Sequence, residues 1–430
     1  MSKLLLEGGR VVDPANDVDS TLDVLVVDGA IARVGESLEA DTDTEVIDAR
    51  GCIVAPGFVD MHVHLREPGF EHKETIATGT RAAAAGGFTA VACMPNTDPV
   101  NDHRSITEAI LEKAQSEGVV RVYPIGAVSL GQKGEALAEI GELVDAGCVA
   151  VSDDGVAVAS AQLMRKALEY TRMFEVPVID HCEEISMTHG AVMHEGAVSA
   201  ALGLGGWPAA AEEIIVARDL LLAEATGGSL HLAHLSTAGS MRLVRDAKAR
   251  GVAVTCEVMA HHFSLTDEAV RGFDTNTKMN PPLRSEADRQ ALLEAIADGT
   301  VDAVASDHAP HHRDEKLLEY DHAPFGIVGL ETAVPLVCTH LVHAGVIDVG
   351  RMVELLAVAP TRVLGIEGGN LSTSSPAHIT VLELDAERRV DVSRFESRSR
   401  NTPFDGVSLK GWPRVTIVAG KVVWQAVVEV

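Results

Sequence analysis

The sequence predicts an α/β fold, a TIM-like (β/α)8 barrel joined to a small β-sandwich domain built from both chain ends. Two patterns and a length carry that expectation. The middle of the chain alternates β-like with helix-like runs about eight times, whereas the two ends carry only short alternating strands. A chain of 430 residues also has room for a barrel of about 250 and a second module. Repeated β/α units in this number point to a closed parallel barrel more than to an open doubly wound sheet.

Residues 1–56 are expected to form the first part of the small domain. Their alternating runs at 4–6, 23–27, 31–34 and 46–48 are punctuated by Gly51 and by Asp28-Gly29, a dipeptide that favours a tight hairpin. Residues 57–365 are expected to make the barrel, with strands at 58–63, 89–93, 120–125, 149–152, 176–180, 229–233, 252–257 and 301–306. Between them, 74–85, 161–172, 211–225 and 241–250 have helical periodicity. Gly86-Gly87, Gly227-Gly228 and Gly251 fall where helices should end. Residues 366–430 return to the style of the start, with runs at 379–384 and 415–423, the second containing Ala419-Gly420. Neither end is long enough to make a sandwich alone, so the two are expected to pair.

Composition narrows the function classes. Hydrophobic residues make up 46% of the chain and aromatics only 3%, so a large core must be built from Val, Leu, Ile and Ala. No apolar run is long enough for a transmembrane helix, and the first nine residues are too weakly apolar for a signal peptide. Six dispersed cysteines without a C-x-x-C pair predict reduced thiols and a cytoplasmic protein. A formal net charge of −28 argues against nucleic acid as a partner. An anionic substrate is compatible with that charge only if the site supplies its own cations.

The chemistry begins at Gly57-Phe58-Val59-Asp60-Met61-His62-Val63-His64. Residues two apart on a strand share a face, so His62 and His64 can reach one metal ion at the strand's C-terminal end. Alone, H-x-H is weak evidence. The other strand ends strengthen it: the fourth runs into Asp153-Asp154, the fifth ends at Asp180-His181, the sixth at Ala233-His234 and the eighth at Ser306-Asp307-His308. Active sites of such barrels lie at the strands' C-terminal ends. Buried imidazoles and carboxylates must be compensated, and one shared metal site compensates all of them. Nitrogen and oxygen ligands without thiolate fit zinc, with manganese or cobalt as substitutes. Between Asp153 and Asp154, which point to opposite faces of a strand, the residues alone do not choose.

The motifs His62-Val63-His64-Leu65-Arg66-Glu67-Pro68-Gly69, Met94-Pro95-Asn96-Thr97, Asn280-Pro281-Pro282-Leu283-Arg284 and Asp307-His308-Ala309-Pro310-His311 resemble those of the amidohydrolase superfamily, and within it the bacterial class I dihydroorotases. The likeness spans nearly the whole chain. It implies interconversion of N-carbamoyl-L-aspartate and L-dihydroorotate in pyrimidine biosynthesis, with one or two zinc ions, two being the expectation. On that resemblance His62 and His64 bind the first metal and His181 and His234 the second. Asp154 bridges them in place of a carbamylated lysine. Asp307 binds the first metal and acts as general acid/base toward a metal-bound hydroxide. Arg66, Asn96 and Asn280 hold the substrate with His64 and His311, and backbone groups at Phe325-Gly326, after a mobile loop at 313–324, complete the pocket. The resemblance further implies a homodimer and an association with aspartate carbamoyltransferase.

Other histidines read more plainly. His231 suits a core or supporting role, and His261-His262 are ambiguous between structure and site. His308 and His312 flank better candidates, and Cys93 and Cys182 receive no role. Hydantoinases, dihydropyrimidinases and allantoinases are the enzymatic rivals, but they usually carry a lysine on the fourth strand, and 148–155 contains none. A non-catalytic scaffold for aspartate carbamoyltransferase is the rival of another class, and such proteins tend to lose ligands. Relatives often read Gly-x-x-Ala-Asp-Leu in the final β-domain, where this chain has Ser375-Pro376-Ala377-His378-Ile379-Thr380.

Overall fold

The computed structural model describes residues 2–426. The chain opens with β1 (Lys3–Asp13), β2 (Val18–Val27), β3 (Ala30–Gly35), β4 (Thr44–Asp48) and β5 (Ile53–Pro56). The next strands are β6 (Phe58–Val63), β7 (Phe88–Cys93), β8 (Arg121–Gly126), β9 (Ala150–Ser152) and β10 (Val178–Asp180). A two-residue ladder of β11 (Met193–His194) and β12 (Gly206–Trp207) precedes β13 (Leu230–Leu232), β14 (Val254–Met259) and β15 (Ala303–Ala305). The chain closes with β16 (Ile379–Arg389), β17 (Ser408–Val418) and β18 (Lys421–Gln425).

The two ends unite in one sheet, as expected. Its order is β18-β17-β16-β5-β1-β2-β3, with β4 also pairing β1. The seam is the antiparallel register Ile379↔Pro56 to Leu382↔Ile53, which ties the tail to the strand just before the barrel. Apolar residues from both ends, among them Leu6, Val24, Ile31, Val381 and Ile417, make its separate core. The change from small sheet to barrel falls at Gly57, and we propose 1–56 and 366–430 as the two parts of the small domain and 57–365 as the barrel.

The barrel runs β6-β7-β8-β9-β10-β13-β14-β15, with every neighbouring pair parallel. A parallel bridge from Val63 to His308, just beyond β15, joins the last strand region to the first. One buried cluster takes Val59, Met61, Ala90, Ile125, Ala150, Ile179, Ala233, Met259 and Ala303 from strands right around the ring, so it fills the barrel interior. Mixed small and medium side chains there explain how a core with so few aromatics packs densely.

Local chemistry sets the helices that hold the strands apart. Thr75 caps Ile76–Ala85 by accepting from Thr78 N, and Thr237 caps Ala238–Ala249 by accepting from Ser240 N. Gly227 ends Ala210–Thr226 in the left-handed conformation at φ 66°, a position where a side chain costs energy. Among the described residues no helix is long and apolar enough to cross a membrane. The segment between β16 and β17 leaves the small sheet and reaches the barrel: Ser397 Oγ and Arg398 N both donate to the buried Glu74.

Candidate metal and substrate site

The strand ends converge. His62 lies in β6 and His64 just beyond it, while Asp154, His181, His234 and Asp307 follow β9, β10, β13 and β15 within two residues. All six side chains are buried. Asp154 sits between the histidines: Oδ1 lies 3.3 Å from His62 Nε2, 3.4 Å from His234 Nε2 and 3.7 Å from His181 Nδ1, and Oδ2 lies 3.4 Å from His64 Nε2. Asp307 Oδ1 is 3.1 Å from His64 Nε2 and 3.8 Å from His62 Nε2. Asp153 turns elsewhere, accepting from Val128 N, Ser129 N and Ser129 Oγ. Of the two adjacent aspartates, Asp154 is the one that meets the histidines.

Several of these imidazoles are held from behind. His62 Nδ1 donates to Glu257 Oε1 at 2.7 Å, His64 Nδ1 to Asn96 Oδ1 at 2.8 Å and His181 Nε2 to Glu183 Oε2 at 3.0 Å. Each such bond leaves the other ring nitrogen toward the cluster, His62 Nε2 and His64 Nε2 beside Asp154 and His181 Nδ1 2.8 Å from His234 Nε2, the arrangement that orients a metal-binding histidine. Three site residues, Arg66 (φ 62°), His234 (φ 35°) and Asp307 (φ 46°), have a left-handed backbone that non-glycine residues rarely adopt. Such strain collects at functional sites.

The donors fit a metal ion. His62 Nε2 is buried and has no hydrogen-bond partner. Around it, His62, His64 and Asp307 form one compact ligand group, and His62, Asp154 and His234 another, with ligand atoms inside 4.8 Å of one another. Nitrogen and oxygen donors at that spacing suit zinc and its first-row neighbours. Electrostatics agree. Burial disfavours an ionised Asp307, yet the hydrogen bond from His64 and the nearby His62 hold its carboxyl well below the usual range. Burial likewise opposes the charge on Asp154, and His62 and His234 overcome it.

Beside this cluster lies a cavity of about 230 Å³ lined by His64, Arg66, Asn96, Asn280, His311, Phe325 and Gly326, together with Asp154, His181, His234 and Asp307. Every substrate-binding candidate of the sequence therefore reaches one space. Burial lowers the Arg66 guanidinium to about 10, against the pull of Asp307 and Asp154, so it is still a cation at neutral pH. Its Nε donates to Pro310 O at 3.1 Å, and Nη2 lies 3.5 Å from His311 Nε2. Burial, then Arg66, push His311 down to about 2, which keeps that imidazole neutral.

Other residues gain roles from their contacts. His231 Nε2 is 3.5 Å from Glu257 and thus supports the group that holds His62. His308 is fixed between Glu74 and Gly329 N, and His312 caps the short helix Arg313–Lys316. His262 Nε2 donates to Pro281 O, next to Asn280, and the ring of His261 packs against it. Sequence reasoning passed over Glu257, Glu183 and Asn401. Glu183 holds His181 and also accepts from Asn280 Nδ2 at 3.2 Å, linking His181 to the cavity wall. The one sequence signal for it was a carboxylate two residues after His181.

A sequence model described as Dihydro-orotase-like matches residues 51–240. The dihydroorotase of Geotalea daltonii is 54% identical over 420 residues, covering 98% of this chain and 99% of its own. That of Pelotomaculum thermopropionicum is 57% identical over 423 residues, with the same coverage. The chain belongs to the dihydroorotase family. Among solved structures, the L-hydantoinase of Arthrobacter aurescens superposes with a TM-score of 0.89 at 26% identity, covering 99% of this chain and 96% of its own. Dihydroorotases thus resemble the chain in sequence over its whole length, while hydantoinases share mainly its architecture.

Proposed function

We propose that this protein is a dihydroorotase that closes N-carbamoyl-L-aspartate to L-dihydroorotate and reopens it, using two zinc ions. The observation that carries the reading is the cavity in which Arg66 faces a cluster of four histidines and two aspartates. Full-length identity to dihydroorotases supports the substrate. His62, His64, Asp154 and Asp307 would hold one ion, and Asp154, His181 and His234 the other. Zinc so bound lowers the pKa of water from about 15.7 to near neutrality and polarises a carbonyl oxygen.

The chain's own groups do the rest. Arg66 binds the carboxylate that stays outside the reacting amide, its planar fork suiting a paired contact that lysine does not reproduce. Asn96, Asn280 and His311 fix the ring, with backbone groups of Phe325 and Gly326 closing the far wall. In the hydrolytic direction water adds to the ring carbonyl, the carbon–nitrogen bond breaks, and one proton must travel from the water to the departing nitrogen. Asp307 carries it, accepting in the first step and donating in the second. Its carboxyl is held in the ionised form that the first step requires. Six buried, unpaired cysteines support a reducing, cytoplasmic setting. A scaffold without activity would be expected to have lost ligands, and none of the six is missing.

The test is metal analysis of the purified chain together with ring opening of L-dihydroorotate. Bound zinc with turnover is expected, and intact zinc-bound protein without turnover refutes the reading.

A further inference from the structure

The segment 320–326, which brings Phe325 and Gly326 to the cavity, is held by side chains from three separate parts of the chain. Lys278 Nζ donates to Tyr320 O at 2.8 Å and Asp321 O at 3.1 Å. Lys316 Nζ donates to Pro324 O at 2.9 Å and Gly326 O at 3.1 Å. Asn401, from the segment that leaves the small sheet, donates through Nδ2 to Gly326 O and Ala309 O, both at 3.1 Å. Its Oδ1 accepts from His311 N. The Lys278 ammonium also lies 4.6 Å from the centre of the Phe325 ring.

These are costly contacts. Lys278, Lys316 and Asn401 are 2%, 7% and 5% exposed, and among the described residues neither lysine forms a salt bridge. A buried ammonium whose hydrogen bonds all go to carbonyls is unfavourable compared with a packed apolar side chain. Burial accordingly lowers Lys278 to about 8 and Lys316, which also feels Lys278, to about 7. A methionine would fill similar space without that cost, so packing alone does not explain the lysines. What an amine adds is N–H donors. Even the neutral form keeps two, one for each carbonyl that Lys316 meets.

Those carbonyls matter because Gly326 has no slack. Its φ is +115°, and a Cβ there would lie 2.7 Å from Ala309 Cβ and 3.3 Å from His311 Nε2. Its carbonyl takes two donors at once, from Lys316 and Asn401, while its N–H donates to Lys278 O. One wall of the cavity is thereby pinned against the other.

We propose that Lys316 and Asn401 are positioning residues for substrate, forming a clamp that sets the distance between Gly326 and the Ala309–His311 wall. The proposal rests on the dihydroorotase reading for the identity of the substrate, though not for the clamp itself. It extends the site to the tail, since Asn401 comes from beyond β16.

Hydrogen exchange of segment 317–326 in the protein as purified, together with steady-state ring opening, tests it. Lys316→Met and Asn401→Asp should each speed exchange in that segment and raise KM about tenfold, with kcat within about threefold of wild type. Lys316→Gln keeps two donors and should fall nearer to wild type than Lys316→Met. A merely structural role predicts a lower Tm with unchanged KM. Unchanged exchange and KM in Lys316→Met and Asn401→Asp overturn the clamp, as does a Lys316→Gln variant no better than Lys316→Met. Should one variant fail to fold, the other decides on the same criteria. A wild-type protein without ring opening counts against the dihydroorotase reading alone, because exchange still reports on the clamp.

Discussion

Replacing Arg66 with methionine removes the cation that the acidic chain places at its pocket while keeping most of the side chain's apolar length. Its Nε is engaged by Pro310 O and its Nη2 is near His311, but the rest of the guanidinium fork is free to face the cavity. A hydrogen bond to a charged partner contributes about 1.5–3 kcal/mol, and a carboxylate can accept two from one fork. The sum, about 3–6 kcal/mol, corresponds to roughly two to four powers of ten in affinity at about 1.4 kcal/mol each. Water entering the vacated space recovers part of it, so the lower end applies: KM should rise about a hundredfold. Because the substrate carboxylate does not change charge during ring opening, Arg66 binds ground and transition states alike, and kcat should move little. Steady-state ring opening of L-dihydroorotate over a wide concentration range separates the two parameters. A fall in kcat at unchanged KM would refute the carboxylate-holding role.

Three further outcomes are expected. Asp307→Asn should lower kcat by about two to four powers of ten in protein whose zinc content matches wild type, because it removes the proton carrier; near-normal turnover is incompatible with that role. Glu257→Gln should weaken zinc binding about 10- to 100-fold by loosening the hold on His62, measurable by competition with a chelator, and unchanged affinity would show that His62 needs no such support. Glu331, whose carboxylate accepts from the amides of Glu396 and Ser397, is raised to about 7, with burial the main cause. A carboxyl raised on folding contributes stability that is complete below its unfolded pKa and lost as pH rises through about 7. Glu331→Gln should therefore flatten the decline in urea midpoint between pH 5 and 8, and parallel profiles for wild type and variant would contradict the assignment.

How much was legible in the sequence depended on how each residue reaches the site. His62, His64, His181, His234 and Asp307 were readable because a barrel brings strand ends together whatever the intervening helices do. Asp154 was readable only in part: its neighbour Asp153 has the same chemistry, and what separates them is the direction of the Val128 and Ser129 amides. Glu257 was hidden by a boundary, for the predicted strand stops at that residue whereas β14 continues to Met259 and sets it within the strand. Lys316 and Asn401 were out of reach for another reason. Their partners are backbone groups, which leave no trace in side-chain patterns, and Asn401 lies 75 residues from Gly326.

The most direct test of the account is the zinc content of the purified chain set beside its turnover of L-dihydroorotate, before and after removal of metal. The account predicts two zinc ions per chain, loss of ring opening on chelation and recovery on zinc addition. A folded chain that binds zinc and leaves dihydroorotate untouched, or one that turns it over equally well without metal, would contradict it.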